Sequence, residues 1–106
     1  MIALLTGRLV YKSPEYSIID VNGVGYHVLT SLNSYYSLPE IGNTLTVNVH
    51  THVREDALHL FGFWTKEEKE LFHKLLSVSG IGPKLALTIL SGKPVEELAA
   101  AIIEGD

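Results

Sequence analysis

Up to about residue 63 apolar and polar positions alternate, and beyond it apolar positions recur every three or four residues. The strictest alternation spans residues 44–54. Leu45, Val47, Val49, Thr51 and Val53 lie on one side, and Thr44, Thr46, Asn48, His50, His52 and Arg54 on the other. Period two predicts a half-buried strand with Val53 among its inward positions, longer than the roughly five or six residues usual. Looser runs at residues 2–12, 15–21, 24–30 and 57–63 predict four more strands. The breaks between them are Ser13-Pro14, Asn22-Gly23, Glu55-Asp56 and an irregular stretch over 31–43 containing Pro39 and Gly42. Asn22-Gly23 is the strongest hairpin signal, because a type I′ turn needs positive φ at both central positions. Short strands at this spacing predict a small antiparallel barrel rather than a sandwich.

The helical half opens with a capping box, Thr65 as N-cap and Glu68 three positions on, followed by the stripe Leu71, Phe72, Leu75 and Leu76. That helix is expected to end within 77–79. Pro83 suits the first position of a second helix over 83–90, which Gly92 stops. Pro94 opens a third, with Glu96 and Glu97 in its first turn, Val95, Leu98, Ala99 and Ile102 on one face and Gly105 at its end. Asp106 suits the N-cap of a further helix. Roughly 40 helical residues are too few for a core of their own. The chain therefore reads as cut in the middle of a helical domain.

Composition narrows the possibilities. A hydrophobic share of 46% excludes disorder, and the lack of Cys excludes a disulfide framework or a cysteine-ligated metal. No apolar run approaches the roughly 18 residues of a membrane helix, and the first residues lack the charged start of a signal peptide. The expectation is a soluble cytoplasmic protein with no membrane contact. A formal charge of −4 argues against a broad basic surface, so any contact with nucleic acid must be local.

One such place is Ser79-Gly80-Ile81-Gly82-Pro83-Lys84, a tight turn between two helices. Gly80 and Gly82 can take positive φ and leave the backbone bare, so that N–H groups converge on one anion. The start of the second helix adds unpaired N–H groups and the positive end of its dipole, and Lys84 adds a full charge. Ile81 is expected to point inward and pin the turn. Between Leu71 and Val95 stand Lys74, Lys84 and Lys93 and no acid. A ligand-free turn between helices is the plain reading, but both helices together with Pro83 and Lys84 make phosphate binding the better one. A dinucleotide fingerprint fails for want of a third glycine and a preceding strand, and a Walker loop for want of Gly-Lys-Ser/Thr.

Glu55 and Asp56 sit at a tip between two strands. Adjacent acids there ordinarily serve solubility. A metal-assisted nuclease is the sharper reading, although no third acid stands nearby in sequence. His50-x-His52, with His59 across the hairpin, has the spacing of a metal site, yet a polar barrel face explains it better. His27 and His73 read as ordinary surface or boundary residues. Phe61, Phe63 and Trp64, at the strand-to-helix junction, read as packing between the two units rather than as base-stacking platforms.

The segment Leu75-Leu76-Ser77-Val78-Ser79-Gly80-Ile81-Gly82-Pro83-Lys84-Leu85-Ala86 resembles a helix-hairpin-helix, a motif that binds DNA backbone without reading sequence. The resemblance extends along the chain to the RuvA family. It is carried also by Ile19-Asp20-Val21-Asn22-Gly23-Val24-Gly25-Tyr26, Val53-Arg54-Glu55-Asp56-Ala57, Leu60-Phe61-Gly62-Phe63 and Leu87-Thr88-Ile89-Leu90-Ser91-Gly92. It implies a mixed β-then-α fold: a five-stranded OB-fold barrel over 1–63, for oligomerisation and an acidic pin, then the start of a helix-hairpin-helix domain over 64–106. It further implies structure-specific, sequence-independent binding of four-way (Holliday) junctions. The chain would be the non-catalytic, DNA-binding subunit of an ATP-dependent branch-migration helicase in recombination and repair. By the same resemblance Ser79, Gly80, Ile81, Gly82, Pro83 and Lys84 bind DNA, and Glu55 and Asp56 form the pin that repels phosphates at the junction centre. No cofactor is implied. The implied partners are junction DNA, identical subunits in a tetramer or a paired octamer, the RuvB motor ATPase through a separate C-terminal domain, and the RuvC resolvase. Two alternatives stay open: a small metal-dependent nuclease using Glu55, Asp56 and the histidines, and an OB-like module that binds only protein.

Overall fold

A computed structural model describes residues 1–92. Strands β1 (Leu4–Lys12), β2 (Tyr16–Val21), β3 (Val24–Thr30), β4 (Thr44–Val53) and β5 (Leu58–Phe63) close into a barrel in the order β1-β2-β3-β5-β4. Helix α1 (Leu32–Ser37) lies between β3 and β4, and helices α2 (Lys66–Leu76) and α3 (Pro83–Ser91) follow β5. The five expected strands are all present, with ends moved by a residue or two. The expected helix from Pro94 to Gly105 lies outside the described residues, as does Lys93.

Local chemistry accounts for the first hairpin. Asn22 and Gly23 both have positive φ, 52° and 91°, with Val21 opposite Val24 and the Gly23 N–H donating to Asp20 Oδ1 at 2.8 Å. Leu5, Leu9, Ile19, Val28, Leu45, Val47, Val49 and Leu60 fill the barrel. Three expectations need correction. Val53 is not an inward residue but 64% exposed, and Leu58, its register partner, is exposed too. The β4–β5 ribbon runs past the barrel core at this point, and none of the described residues covers it. The barrel is also not wholly antiparallel, since β3 and β5 pair in parallel (Val28 with Leu60, Thr30 with Gly62). Periodicity assigns a face and is silent on partner and direction. A Cβ on Gly62 would lie 2.4 Å from Val28 Cγ1, so this strand approach requires glycine.

The third correction is α1, inside the stretch expected to be irregular. Six residues are too few for a helical period to register. Ser31 caps it, its hydroxyl accepting from the Ser34 N–H at 3.1 Å. The Leu32 N–H donates to Ser91 Oγ at 3.1 Å, and Asn33 Nδ2 to the Leu90 carbonyl at 2.7 Å, which ties α1 to the end of α3.

From Leu60 to Phe63 strand β5 is apolar on both faces because both are covered there. Leu60 faces the barrel, whereas Phe61 and Phe63 face a second core with Leu71, Phe72, Leu75, Ala86 and Leu90. The phenylalanines pack barrel against helices as expected, while Trp64 stays 36% exposed at the edge. Half of the capping box forms: Thr65 Oγ1 accepts the Glu68 N–H at 3.1 Å. The other half does not. The Glu68 carboxylate is buried and accepts hydroxyls from Ser31 at 2.6 Å and Ser34 at 2.5 Å.

Candidate nucleic-acid interface

The turn between α2 and α3 is built by ending one helix and starting another with little covering either end. Ser77 closes α2, its N–H reaching the His73 and Lys74 carbonyls, and Ile81 N–H donates to the Val78 carbonyl at 3.1 Å. Gly80 takes φ +89° and leads the chain back. Gly82 does not share that conformation: at φ −90°, ψ 177° it is extended backbone and the N-cap of α3, so the expectation of positive φ at both glycines holds at one. A Cβ at either would meet no atom within 4 Å, so both present bare backbone to open space. Pro83 takes the first helical position, and the N-cap contributes no side-chain bond. Among the described residues the N–H groups of Gly80, Gly82 and Lys84 make no hydrogen bond. Ile81 is half-buried against the helical core and anchors the turn. Ser79, Gly80, Gly82 and Lys84 are exposed, and Lys84 forms no ion pair among the described residues. Free donors, a helix N-terminus and an unpaired ammonium suit one phosphate group.

Glu55 and Asp56 occupy the tip of the β4–β5 ribbon. Arg54 N–H to Ala57 carbonyl at 2.7 Å, with the reverse bond at 3.4 Å, closes a two-residue loop that leaves both acids exposed. A cleft of about 260 Å³ joins the root of this ribbon to the helix turn, lined by His52, Arg54 and His59 on one side and Gly82, Pro83 and Lys84 on the other. A larger groove of about 460 Å³ has mainly apolar walls, among them Leu29, Leu32, Phe61 and Leu87, and Lys84 is its sole cationic residue. The smaller cleft is the one that runs from the turn to Arg54, beside the acidic tip, with Glu55 and Asp56 outside its lining.

The outward histidines of β4 part company. His50 packs under α2, its Nδ1 3.0 Å from Nε2 of His73, with its ring edge-on to Phe72. Burial, then the neighbouring His73 imidazole, pushes His50 below the usual imidazole range, and burial followed by Lys69 does the same to His73. His73 is thus exposed, as expected of a surface or boundary residue, and in addition joins α2 to β4 through His50. His27 stacks on Tyr16 with ring centroids 4.2 Å apart. Among the described residues no three His, Asp or Glu side chains gather in a way that could hold a metal ion.

Residues 1–62 match the family described as RuvA N terminal domain. The chain belongs to the RuvA family. Residues 72–105 match a SAM-like helix-hairpin-helix tandem, whose stretch up to residue 92 covers the second half of α2, the turn and α3. The protein named Holliday junction branch migration complex subunit RuvA in Geobacter sulfurreducens is 61% identical over 106 residues, covering all of this chain and 53% of that protein. Those of the same name in Geotalea daltonii and Syntrophobacter fumaroxidans are 57% identical over 106 residues and 49% over 104, each with 53% of its own length covered. The chain spans about half the length of the curated relatives it matches. The RuvA architecture implied by the sequence, a five-stranded barrel followed by helices, is the one observed.

Sequence reasoning missed the buried Glu68, the His50–His73 contact, and the cleft that brings His52 and His59 toward Lys84. One signal pointed at the last two. The both-sided apolar run Leu60-Phe61-Gly62-Phe63 means that helices cover that outer face, and so also the outward residues of the neighbouring strand.

Proposed function

We propose that this chain binds the sugar–phosphate backbone of four-way DNA junctions as a non-catalytic part of a branch-migration complex. The observation that carries the reading is the α2–α3 turn, with exposed N–H groups at Gly80, Gly82 and Lys84 that are unbonded among the described residues and an ammonium that pairs with no acid among them. Arg or Asn side chains aimed at base edges are missing from the turn, which fits contact with phosphates and no base readout. Residues 1–63 serve assembly and carry Glu55 and Asp56 as a repulsive pin, and the part from residue 64 onward grips the arms. A cytoplasmic tetramer, single or paired, matches the four arms of the ligand in symmetry. A separate motor ATPase, RuvB, supplies the work of migration, and RuvC is a further partner. Glu55 and Asp56 act by charge and not by bond chemistry.

Titration of a labelled four-way junction against salt tests this. Lys84→Ala should weaken binding for all junction sequences alike and flatten the slope of log K against log salt by about one. Unchanged affinity and slope would remove the turn from the interface. Cleavage of the junction in magnesium would favour the nuclease reading instead.

A further inference from the structure

The cleft between the β4–β5 ribbon and the helix turn has features that one phosphate on the turn does not use. Its volume is about 260 Å³, with Phe61, Pro83 and Leu85 among its walls and His52, Arg54, His59 and Lys84 as its cationic or titratable residues. His52 and His59 are direct register partners across β4 and β5, so both side chains leave the ribbon on one face, and both line the cleft. Among the described residues none of these four side chains makes a hydrogen bond or ion pair, and no acid lines the cleft. The groups facing His52 are His59 opposite, His50 on the same strand with ring centroids 6.3 Å apart, and the two cations. His59 meets the Phe61 ring edge-on at 6.5 Å. Glu55 and Asp56 stand beyond Arg54 at the tip of the same ribbon, outside the cleft lining. Nitrogen donors gathered without a counter-ion repel one another once charged, and an anion relieves that repulsion.

We propose that this cleft takes a second DNA backbone phosphate, held by His52 and His59 of the barrel together with Lys84 of the turn. The proposal rests on the reading of the turn as a backbone-phosphate binder and extends it. The barrel becomes part of the DNA-gripping surface, with a contribution that grows as imidazoles gain protons. Imidazoles titrate within the range of about pH 5–8, whereas Lys and Arg stay charged throughout it. The added contact therefore strengthens as pH falls from about 8 to about 6.

Junction titrations with the full chain at those two pH values test it. The unmodified protein should bind more tightly near pH 6, with a salt slope steeper by about one. His52→Gln combined with His59→Gln should lose most of that gain, roughly threefold to tenfold in affinity. His27→Gln, remote from the cleft, should keep it. The His50–His73 contact is present in every one of these proteins and cancels from the comparison. Retention of the full gain in the double variant would overturn the proposal. Dimethyl phosphate, an anion whose own charge is constant over this range, provides a second readout independent of junction binding. The imidazole NMR signals of His52 and His59 should move and saturate together while that of His27 stays still. Equal drift of all three would mean unspecific anion screening and would also overturn the proposal, whatever Lys84→Ala does to junction affinity.

Discussion

At φ +89° Gly80 sits in the left-handed region, where a Cβ crowds its own peptide group although the surrounding space is open. Gly80→Ala should therefore cost about 1–2 kcal/mol of stability through backbone strain alone. Gly82, two residues on, has extended backbone that any residue adopts. Gly82→Ala should change stability by less than about 1 kcal/mol, since Gly and Ala are both modest N-caps, yet weaken junction binding by holding the phosphate off the bare backbone. Urea denaturation alongside junction titration separates the two effects. Equal destabilisation by both substitutions would contradict the backbone geometry of the turn. The spacing Gly80-Ile81-Gly82 announced a bare turn but not which glycine bends it, because either can.

Two polar contacts hold elements together where the hydrophobic pattern predicted none. Glu68 on α2 accepts the Ser31 and Ser34 hydroxyls of the α1 segment, and Ser34 Oγ in turn accepts the Trp64 N–H at 2.9 Å. Glu68→Ala would strand those buried hydroxyls without their acceptor and should cost about 2–4 kcal/mol, with Glu68→Gln recovering part of it. Chemical denaturation of both variants checks this, and a loss below about 1 kcal/mol would mean that the contact is dispensable. His50 on β4 meets His73 on α2, and both are held below the usual imidazole range, chiefly by burial. With folded values depressed, the unfolded chain binds more protons over the window just below about pH 6.5. Stability from this joint is thus fully present above that window and is lost as pH falls through it. The melting temperature should drop between about pH 7 and pH 5, and His73→Gln should shrink the drop by removing one of the two titrating rings. A pH profile identical in the variant would clear the pair of this role.

Across the whole molecule, one cleft joins the helix turn to Arg54, the residue next to the acidic tip at Glu55 and Asp56. Under the proposed function, a strand of DNA gripped by the turn and entering that cleft would pass near the two carboxylates beyond Arg54. Glu55→Gln with Asp56→Asn keeps shape and removes charge. Junction affinity should then be equal or higher, and duplex affinity should rise more, up to roughly tenfold at low salt, because a continuous duplex cannot open a gap around the tip. Discrimination between the two ligands should fall. Gel-shift titration of both ligands measures it, and a folded double variant with weaker junction binding would defeat the repulsive reading.

Along the chain, pattern and turn chemistry were sufficient for the five strands, the Asn22-Gly23 hairpin, α2 with its Thr65 cap, and α3 starting at Pro83. Each depends on residues within a few positions of one another, and the sequence displays those directly. The parallel pairing of β3 with β5 was decided elsewhere, as were the exposure of Val53, the helical turn at 32–37 and the burial of Glu68. So were the His50–His73 contact and the meeting of His52 and His59 with Lys84. In every one of these the partner lies far along the chain or the cover comes from another element. Periodicity tells a residue which side it faces, and only closure of the barrel against the helices determines what it meets there.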